Sequence, residues 1–397
     1  MRLFQIALCY IFIFSLIWSS CSKDKEENTA VSYPAVQQAF GANINLSELQ
    51  NYAAQSRPGY IMKDNSGVNP ITDGKATVGR VLFYDKNLSI NNTISCASCH
   101  QQQFAFSDPM IASKGVEGGT TGRHSMRLLN TRFGNELKFF WNERVASLEL
   151  QTTQPIQDHA EMGFSGQNGR PGLSALLDKL QNINYYKELF QFVYRDQQVT
   201  ELRLQECLAQ FVRSIQSFDS KFDTGRTQAP NDGAPFQNFS SVENQGKQLF
   251  LQRPNFNGNG QRINGGAGCA GCHNPPEFDI DPNSRNNGIV ESISGGLKDF
   301  SNTRSPSLRD LTNSSGTVNS PMMHHGRNAT LRSVILHYNT ISRDPENNNL
   351  DPRLTPGGVG QQLQLTETEI NALAAFLQTL AGNNVYTDKK WSDPFLK

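Results

Sequence analysis

Hydrophobic positions recur with a helical period in several segments of the chain, whereas strand patterns are weak throughout. The period is clearest in residues 199–222, where Thr200 can cap the first turn, and in residues 366–380. The second segment opens with a capping-box pattern, Thr366 followed three residues later by Glu369. The fold is therefore predicted to be all-α with long loops.

Two shorter helical patterns, at residues 77–84 and 242–251, are each followed by a loop and the same five-residue motif. The motif is C-x-x-C-H, and its copies are Cys96-Ala97-Ser98-Cys99-His100 and Cys269-Ala270-Gly271-Cys272-His273. Long loops and a closing helix come next in both halves. The chain thus repeats one structural plan.

The C-x-x-C-H motif is the attachment signal for a c-type haem, because two thiols add to the haem vinyl groups and the adjacent imidazole binds the iron. A single C-x-x-C is also typical of a zinc knuckle, a redox dithiol or a disulfide. Two copies with no other Cys nearby favour two covalently bound haems. The predicted attachment residues are Cys96, Cys99 and His100 in the first motif and Cys269, Cys272 and His273 in the second.

The wide separation of the motifs suits one haem in each of two cytochrome-c-like domains. Residues 224–237 are rich in turn formers and carry no apolar period, so they are predicted to be the linker. This places an N-terminal haem domain at residues 36–223 and a C-terminal haem domain at residues 238–397. The haems would supply much of each core, which explains how a chain with 37% hydrophobic residues can fold.

The N-terminus has the pattern of an export signal. An apolar run at residues 2–18 follows one positive charge and is too short for an ordinary spanning helix. Residues 1–20 are predicted to be a lipoprotein-type signal peptide removed before Cys21, which would carry lipid, with residues 21–35 as a polar tether. Ordinary cleavage with a soluble product is the alternative. The protein is expected on the periplasmic side of the cell envelope.

Charge and cysteine content limit the kinds of binding partner and covalent cross-link that the chain is expected to have. Lys and Arg number 36, as do Asp and Glu, so the formal net charge of zero does not favour binding to nucleic acid or to a membrane surface. Membrane contact is therefore expected only through the lipid at Cys21. Outside the two motifs and the signal segment only Cys207 remains, so no structural disulfide is predicted, and Cys207 is expected to be buried in a helix.

Four stretches resemble the bacterial dihaem cytochrome c peroxidases and their MauG-like relatives. They are residues 78–89 with the first haem motif, 139–163, 304–310 and 321–326. The resemblance extends over about residues 36–382, nearly all of the predicted mature chain.

The resemblance implies that Glu161 and Gln151 meet over the distal face of the N-terminal haem. Glu161 would move a proton between the two peroxide oxygens, and Gln151 would orient the bound oxygen through its amide. A carboxyl group in a haem pocket loses hydration, which raises its pKa towards neutrality. Trp141 would lie between the haems and relay electrons.

The resemblance also implies that the two irons differ. The second iron would be closed by His273 and by Tyr338, with the adjacent His337 as the alternative, since helix neighbours point about 100° apart. Classical members block the first iron with a His, whereas this chain has Val116 at that place. The haem bound through His100 is therefore expected to be open in the resting oxidised protein.

Family members hold an interdomain calcium ion with an Asn side chain and two backbone carbonyls. The carbonyl positions correspond to Asn319 and Pro321, but His124 replaces the Asn. Because calcium prefers oxygen ligands, calcium binding stays open, and His124 reaching the iron is a further alternative.

These observations predict an exported dihaem peroxidase that reduces hydrogen peroxide to water. Electrons would come from a small c-type cytochrome or other carrier, arrive at the C-terminal haem and pass to the open N-terminal haem. A MauG-like oxidase that modifies an amino-acid side chain or small molecule is the alternative, and a non-enzymatic electron-transfer cytochrome is the second. A homodimer is common in the family, but the sequence shows no self-complementary surface.

Overall fold

Helices joined by long loops dominate the computed structural model, which describes residues 32–135, 138–280 and 282–396. The predicted signal peptide, the lipid-bearing Cys21 and most of the tether lie outside these residues. The α-helices are α1 (Pro34–Phe40), α2 (Asp73–Tyr84), α3 (Cys96–Cys99), α4 (Leu148–Thr152), α5 (Gln154–Gln157), α6 (Leu173–Gln181), α7 (Asn184–Tyr194), α8 (Glu201–Ser214), α9 (Lys221–Gln228), α10 (Ser241–Leu251), α11 (Leu331–Asn339) and α12 (Glu367–Gln378).

Four short strands among the described residues modify the all-α prediction. Strands β1 (Pro254–Phe256) and β2 (Arg262–Gly265) pair antiparallel, as do β3 (His273–Asn274) and β4 (Asp279–Ile280). Both pairs lie next to the second haem motif, in loops that carry no clear apolar alternation. The fold is therefore helix-rich, with two small hairpins, rather than purely helical.

The repeated plan is visible as two equivalent helix pairs, α2 with α8 and α10 with α12. Each pair meets at a glycine. A Cβ atom on Gly79 would lie 2.0 Å from the carbonyl oxygen of Cys207, and one on Gly246 would lie 1.9 Å from that of Ala372. Since a methyl group does not fit at either crossing, only glycine allows these helices to approach so closely.

The helix predicted at residues 199–222 is shorter than expected. It begins after the cap at Thr200, as predicted, but α8 ends at Ser214. Residues 215–219 leave the helix because their backbone bonds to Asn130: Asn130 N–H donates to the Ile215 carbonyl at 3.0 Å, and Asn130 Nδ2 donates to the Ser217 carbonyl at 3.1 Å. A tertiary contact thus overrides the helical period. The other long prediction is confirmed, with Thr366 and Glu369 capping α12.

The predicted linker is not a simple turn-rich tether. Residues 224–228 belong to α9, and Phe236 is buried. Phe236 joins an aromatic core that also contains Phe222, Phe250, Phe278 and Phe376, in which the Phe222 and Phe278 rings are 4.8 Å apart. The segment therefore contributes to the core of the C-terminal half.

The last residues of the chain return to the N-terminal half. Trp391 is buried, and its carbonyl accepts a hydrogen bond from Tyr84 Oη at 2.6 Å. The Ser392 carbonyl accepts one from Arg80 Nε, also at 2.6 Å. Pro34–Lys397 consequently clusters as one compact unit, and the division into two domains stays a prediction. None of the helices in the described ranges is long and apolar enough to cross a membrane.

Candidate active site

The first motif places its histidine for metal binding. Cys96–Cys99 form α3, and His100 follows at the end of this helix. His100 Nδ1 lies 3.2 Å from the carbonyl oxygen of Phe106. A bond from one ring nitrogen to a backbone carbonyl fixes the tautomer and leaves Nε2 for the metal, as is usual for histidine ligands.

The second motif has the same arrangement. His273 Nδ1 lies 3.0 Å from the carbonyl oxygen of Pro306. Burial lowers the pKa of His273 to about 4 and also lowers the pKa of His100. Both imidazoles are therefore held neutral at physiological pH, which is the form that binds iron.

The motif cysteines suit covalent attachment better than a zinc site. Burial raises the pKa of Cys96, of Cys99 and of Cys269 to about 12, so thiolates are disfavoured at these positions. Zinc needs deprotonated thiols and about four ligands. Within the part of the chain that the structure describes, no group of three or more His, Cys, Asp or Glu could hold a metal ion.

A cavity of about 510 Å³ lies beside the second motif. Cys269, Cys272 and His273 line it, together with Tyr338 and apolar side chains. The cavity therefore brings the attachment residues and the predicted second axial ligand to one apolar site. These residues fit a c-type haem with His273 on its iron.

The structure distinguishes Tyr338 from its neighbour. Tyr338 faces the cavity, whereas His337 Nε2 lies 3.0 Å from the carbonyl oxygen of Asn287. Burial raises the pKa of Tyr338, and the Asn287 side chain hydrogen-bonds to it. The geometry thus favours Tyr338 as the residue that can reach the iron. Asn287 was missed by sequence reasoning because no motif connects it to α11.

Glu161 lies near the first motif. Its pKa is raised from 4.5 to about 7, mainly by burial and also by Asp158, while Arg144 opposes the shift. The Glu161 carboxylate is close enough to interact electrostatically with Cys96 and Cys99. A carboxyl group that titrates near neutrality beside a haem attachment site is suited to accept and return a proton.

Val116 packs against the same segment. Its backbone N–H donates to the Glu161 carbonyl at 3.1 Å, and its side chain is buried. Gln151 lies on α4, ten residues before Glu161, and is half-buried. No hydrogen bond between the Gln151 and Glu161 side chains is found among the described residues, so the role of Gln151 stays a prediction.

Trp141 connects the two halves. Its Nε1 donates to the His124 carbonyl at 2.7 Å, and its ring meets the His324 ring edge-on with centroids 6.2 Å apart. It also lines the cavity that contains His273. The side chain is buried, so its position is compatible with the predicted relay.

The predicted calcium site is altered at His124. Its Nδ1 lies 3.0 Å from the Met110 carbonyl oxygen, and its Nε2 lies 3.4 Å from Ser107 Oγ. Nδ1 therefore faces a backbone carbonyl, whereas Nε2 has only a long contact, so His124 as an iron ligand stays an untested alternative. Asn319 donates through Nδ2 to the Asp310 carbonyl at 2.8 Å, and Pro321 lines the His273 cavity.

Sequence comparison finds similarity to di-haem cytochrome c peroxidases and to MauG proteins. The sequence model of the di-haem cytochrome c peroxidase family matches residues 73–229. The chain is 28% identical over 324 residues to the methylamine utilization protein MauG of Methylophilus methylotrophus, covering 79% of this chain and 84% of the relative. It is 24% identical over 327 residues to the cytochrome c551 peroxidase of Nitrosomonas europaea, covering 80% and 82%.

Solved structures show the same fold. A MauG-like protein associated with microbial copper homeostasis matches with a TM-score of 0.65 and 26% identity, covering 85% of this chain and 98% of that one. The diheme peroxidase BthA from Burkholderia thailandensis matches with a TM-score of 0.60 and 19% identity, covering 85% and 90%. The chain is therefore similar over most of its length to MauG proteins and to cytochrome c peroxidases, and its two C-x-x-C-H motifs agree with the two c-type haems of the di-haem family.

Proposed function

We propose that this protein is a peroxidase that reduces hydrogen peroxide to water at the haem held by His100. The observation that carries the proposal is Glu161, whose pKa is about 7 and whose carbonyl bonds to the backbone of Val116. By the family resemblance, Val116 occupies the position at which classical members have an iron-blocking His. Valine cannot bind iron, so the distal face would be accessible to peroxide. When bound, the haem supplies the iron that holds peroxide and accepts electrons.

Glu161 would perform the proton transfer. Its carboxylate takes the proton from the inner peroxide oxygen and returns it to the outer oxygen, which leaves as water. Asp158 holds the loop, because its Oδ1 accepts hydrogen bonds from the backbone N–H groups of Ala160 at 2.8 Å and Glu161 at 3.0 Å. Gln151 is proposed to orient the bound oxygen through its amide.

Electrons would reach this site from the haem held by His273. Tyr338 lines the His273 cavity, and as a second protein ligand it would leave that iron unable to bind peroxide, so this haem would serve as an electron store. Trp141 lines the same cavity and donates a hydrogen bond to the His124 carbonyl. It is therefore proposed to relay electrons between the haems. The donor is proposed to be a small c-type cytochrome or a similar carrier.

A steady-state assay tests this function. The oxidised holoprotein is mixed with hydrogen peroxide and a reduced small c-type cytochrome, and both are followed. We expect peroxide loss with two cytochromes oxidised per peroxide, and a high-spin haem signal before peroxide is added. A control variant, Glu117→Gln, removes an exposed carboxylate of the neighbouring loop and should leave the rate unchanged. No oxidation of cytochrome, or two low-spin haems at rest, would refute the proposal.

A MauG-like oxidase is the second candidate, and Tyr338 in the His273 cavity is the observation that favours it. Such an enzyme would modify a protein side chain or small molecule and would oxidise reduced cytochrome poorly. Rapid cytochrome turnover therefore excludes it. A pure electron carrier would have both irons closed, so failure of the oxidised protein to bind cyanide would identify that third case.

We also propose that the protein is exported and anchored through lipid on Cys21. The support is the apolar run at residues 2–18, followed by two serines and then Cys21. Fractionation of cells that produce the full chain provides the test. Wild type should appear in the membrane fraction and Cys21→Ser in the soluble exported fraction, whereas equal distribution would exclude the anchor.

A further inference from the structure

A buried arginine lies between the two haem sites. Arg127 lines the cavity that contains His273. Its neighbour Met126 makes a backbone hydrogen bond to the His100 ring. Residues 126 and 127 therefore touch both sites, at the place where the two halves meet.

Arg127 has few protein partners for a buried charge. Its Nη1 donates to Ser320 Oγ at a long distance of 3.4 Å, and its Nε has no hydrogen-bond partner among the described residues. Asp310 attracts it electrostatically. Burial lowers the pKa of Arg127 to about 10, so the guanidinium still carries its charge at neutral pH. A buried charge needs compensation, and a haem held by His273 would offer two carboxylates, its propionates, with which Arg127 could pair.

The same guanidinium contacts the segment that was expected to bind the calcium ion. Ser320 stands between Asn319 and Pro321, whose carbonyls the family uses as calcium ligands. The Asn side chain that serves as the third calcium ligand in the family is replaced by His124. The His124 ring is turned towards the carbonyls of Met110 and Ile111. A divalent cation would here meet a fixed positive charge and would lack one oxygen ligand. The residues present therefore do not fit calcium.

We propose that Arg127 supplies a fixed positive charge between the haem sites by pairing with a haem propionate, and that no calcium ion binds there. Positive charge favours the reduced haem, because oxidation adds one more positive charge to the iron. Arg127 is thus a positioning residue that raises the reduction potential of the haem held by His273. This role does not depend on peroxide turnover.

Calcium binding gives the first test. The holoprotein is treated with EGTA, dialysed and titrated with calcium chloride in a calorimeter, while its visible spectrum is recorded. We expect no stoichiometric binding and an unchanged spectrum. Binding of one calcium ion per chain with a spectral change would overturn the proposal, whatever the peroxidase activity.

Redox titration of the haems gives the second test. Arg127→Gln should lower the midpoint potential of the His273 haem, whereas Arg127→Lys, which keeps the charge, should remain closer to wild type. Arg203→Gln removes a partly exposed arginine that pairs with Asp196, remote from the cavity lining, and serves as the control for net charge. If Arg127→Gln leaves the potential unchanged, the proposal is wrong. If that variant does not fold, Arg127→Lys and the calcium titration decide. The Lys variant should keep the wild-type potential, and a large fall in that variant would contradict the electrostatic role.

Discussion

Replacing Glu161 with Gln is the sharpest test of the catalytic reasoning. Gln keeps the size and polarity of the side chain but cannot accept a proton from peroxide. Loss of a general acid–base typically lowers turnover by about 10² to 10⁴. We therefore expect kcat/KM for peroxide to fall by that factor, while the attachment of both haems and the resting spectrum stay as in wild type.

The pH dependence follows from the pKa of Glu161. The increase in pKa from 4.5 to about 7 means that the site disfavours the carboxylate form by at most about 3 kcal/mol. Solvent screening reduces this free energy, because Glu161 is only half-buried. Because the free enzyme needs the carboxylate, kcat/KM should fall about tenfold per pH unit below pH 7. This acidic limb should be absent in Glu161→Gln.

Two residues whose charges act on Glu161 should shift the acidic limb of the pH profile in opposite directions. Asp158→Asn removes a negative charge that raises the pKa of Glu161, so the limb should move to lower pH. Arg144→Gln removes a positive charge that lowers it, so the limb should move to higher pH. Stopped-flow measurement of peroxide binding across pH 5–9 gives the profiles. A wild-type limb that survives in Glu161→Gln, or that moves the same way in both controls, would refute Glu161 as the base.

Three further predictions concern folding and the second haem. Gly246→Ala should lower the free energy of unfolding by about 1–3 kcal/mol, because the added methyl group overpacks α10 against α12. Gly59→Ala is the control, since a Cβ there meets nothing within 4 Å, and denaturant titration should show almost no change. Asp223→Asn should cost about 3–5 kcal/mol by leaving Arg309 buried without its ion pair, and an unchanged unfolding midpoint would contradict this. Tyr338→Phe should change the low-spin signal of the second haem in magnetic spectra, and an unchanged signal would exclude Tyr338 as its ligand.

The sequence by itself determined the chemistry that is local in the chain. A C-x-x-C-H motif contains its own two thiols and its own ligand, so both haem sites could be read without tertiary information. The capping box at Thr366 and Glu369 likewise depends on residues one turn apart, and it appears in the structure as predicted. The internal repeat could also be recognised from the sequence, since each half has its own helix followed by a C-x-x-C-H motif.

Tertiary structure decided the features that depend on distant residues. α8 ends at Ser214 because Asn130, far away in the chain, binds the following backbone. Only the folded chain separates Tyr338, which lines the cavity, from His337, whose ring contacts the Asn287 carbonyl, and Tyr338 as an iron ligand stays a prediction. The sequence predicted a raised pKa for Glu161 only through the resemblance, whereas burial with Asp158 and Arg144 gives its physical cause. Hydrophobic period and short motifs report on neighbours along the chain, but desolvation and charge pairing arise only when remote segments pack together.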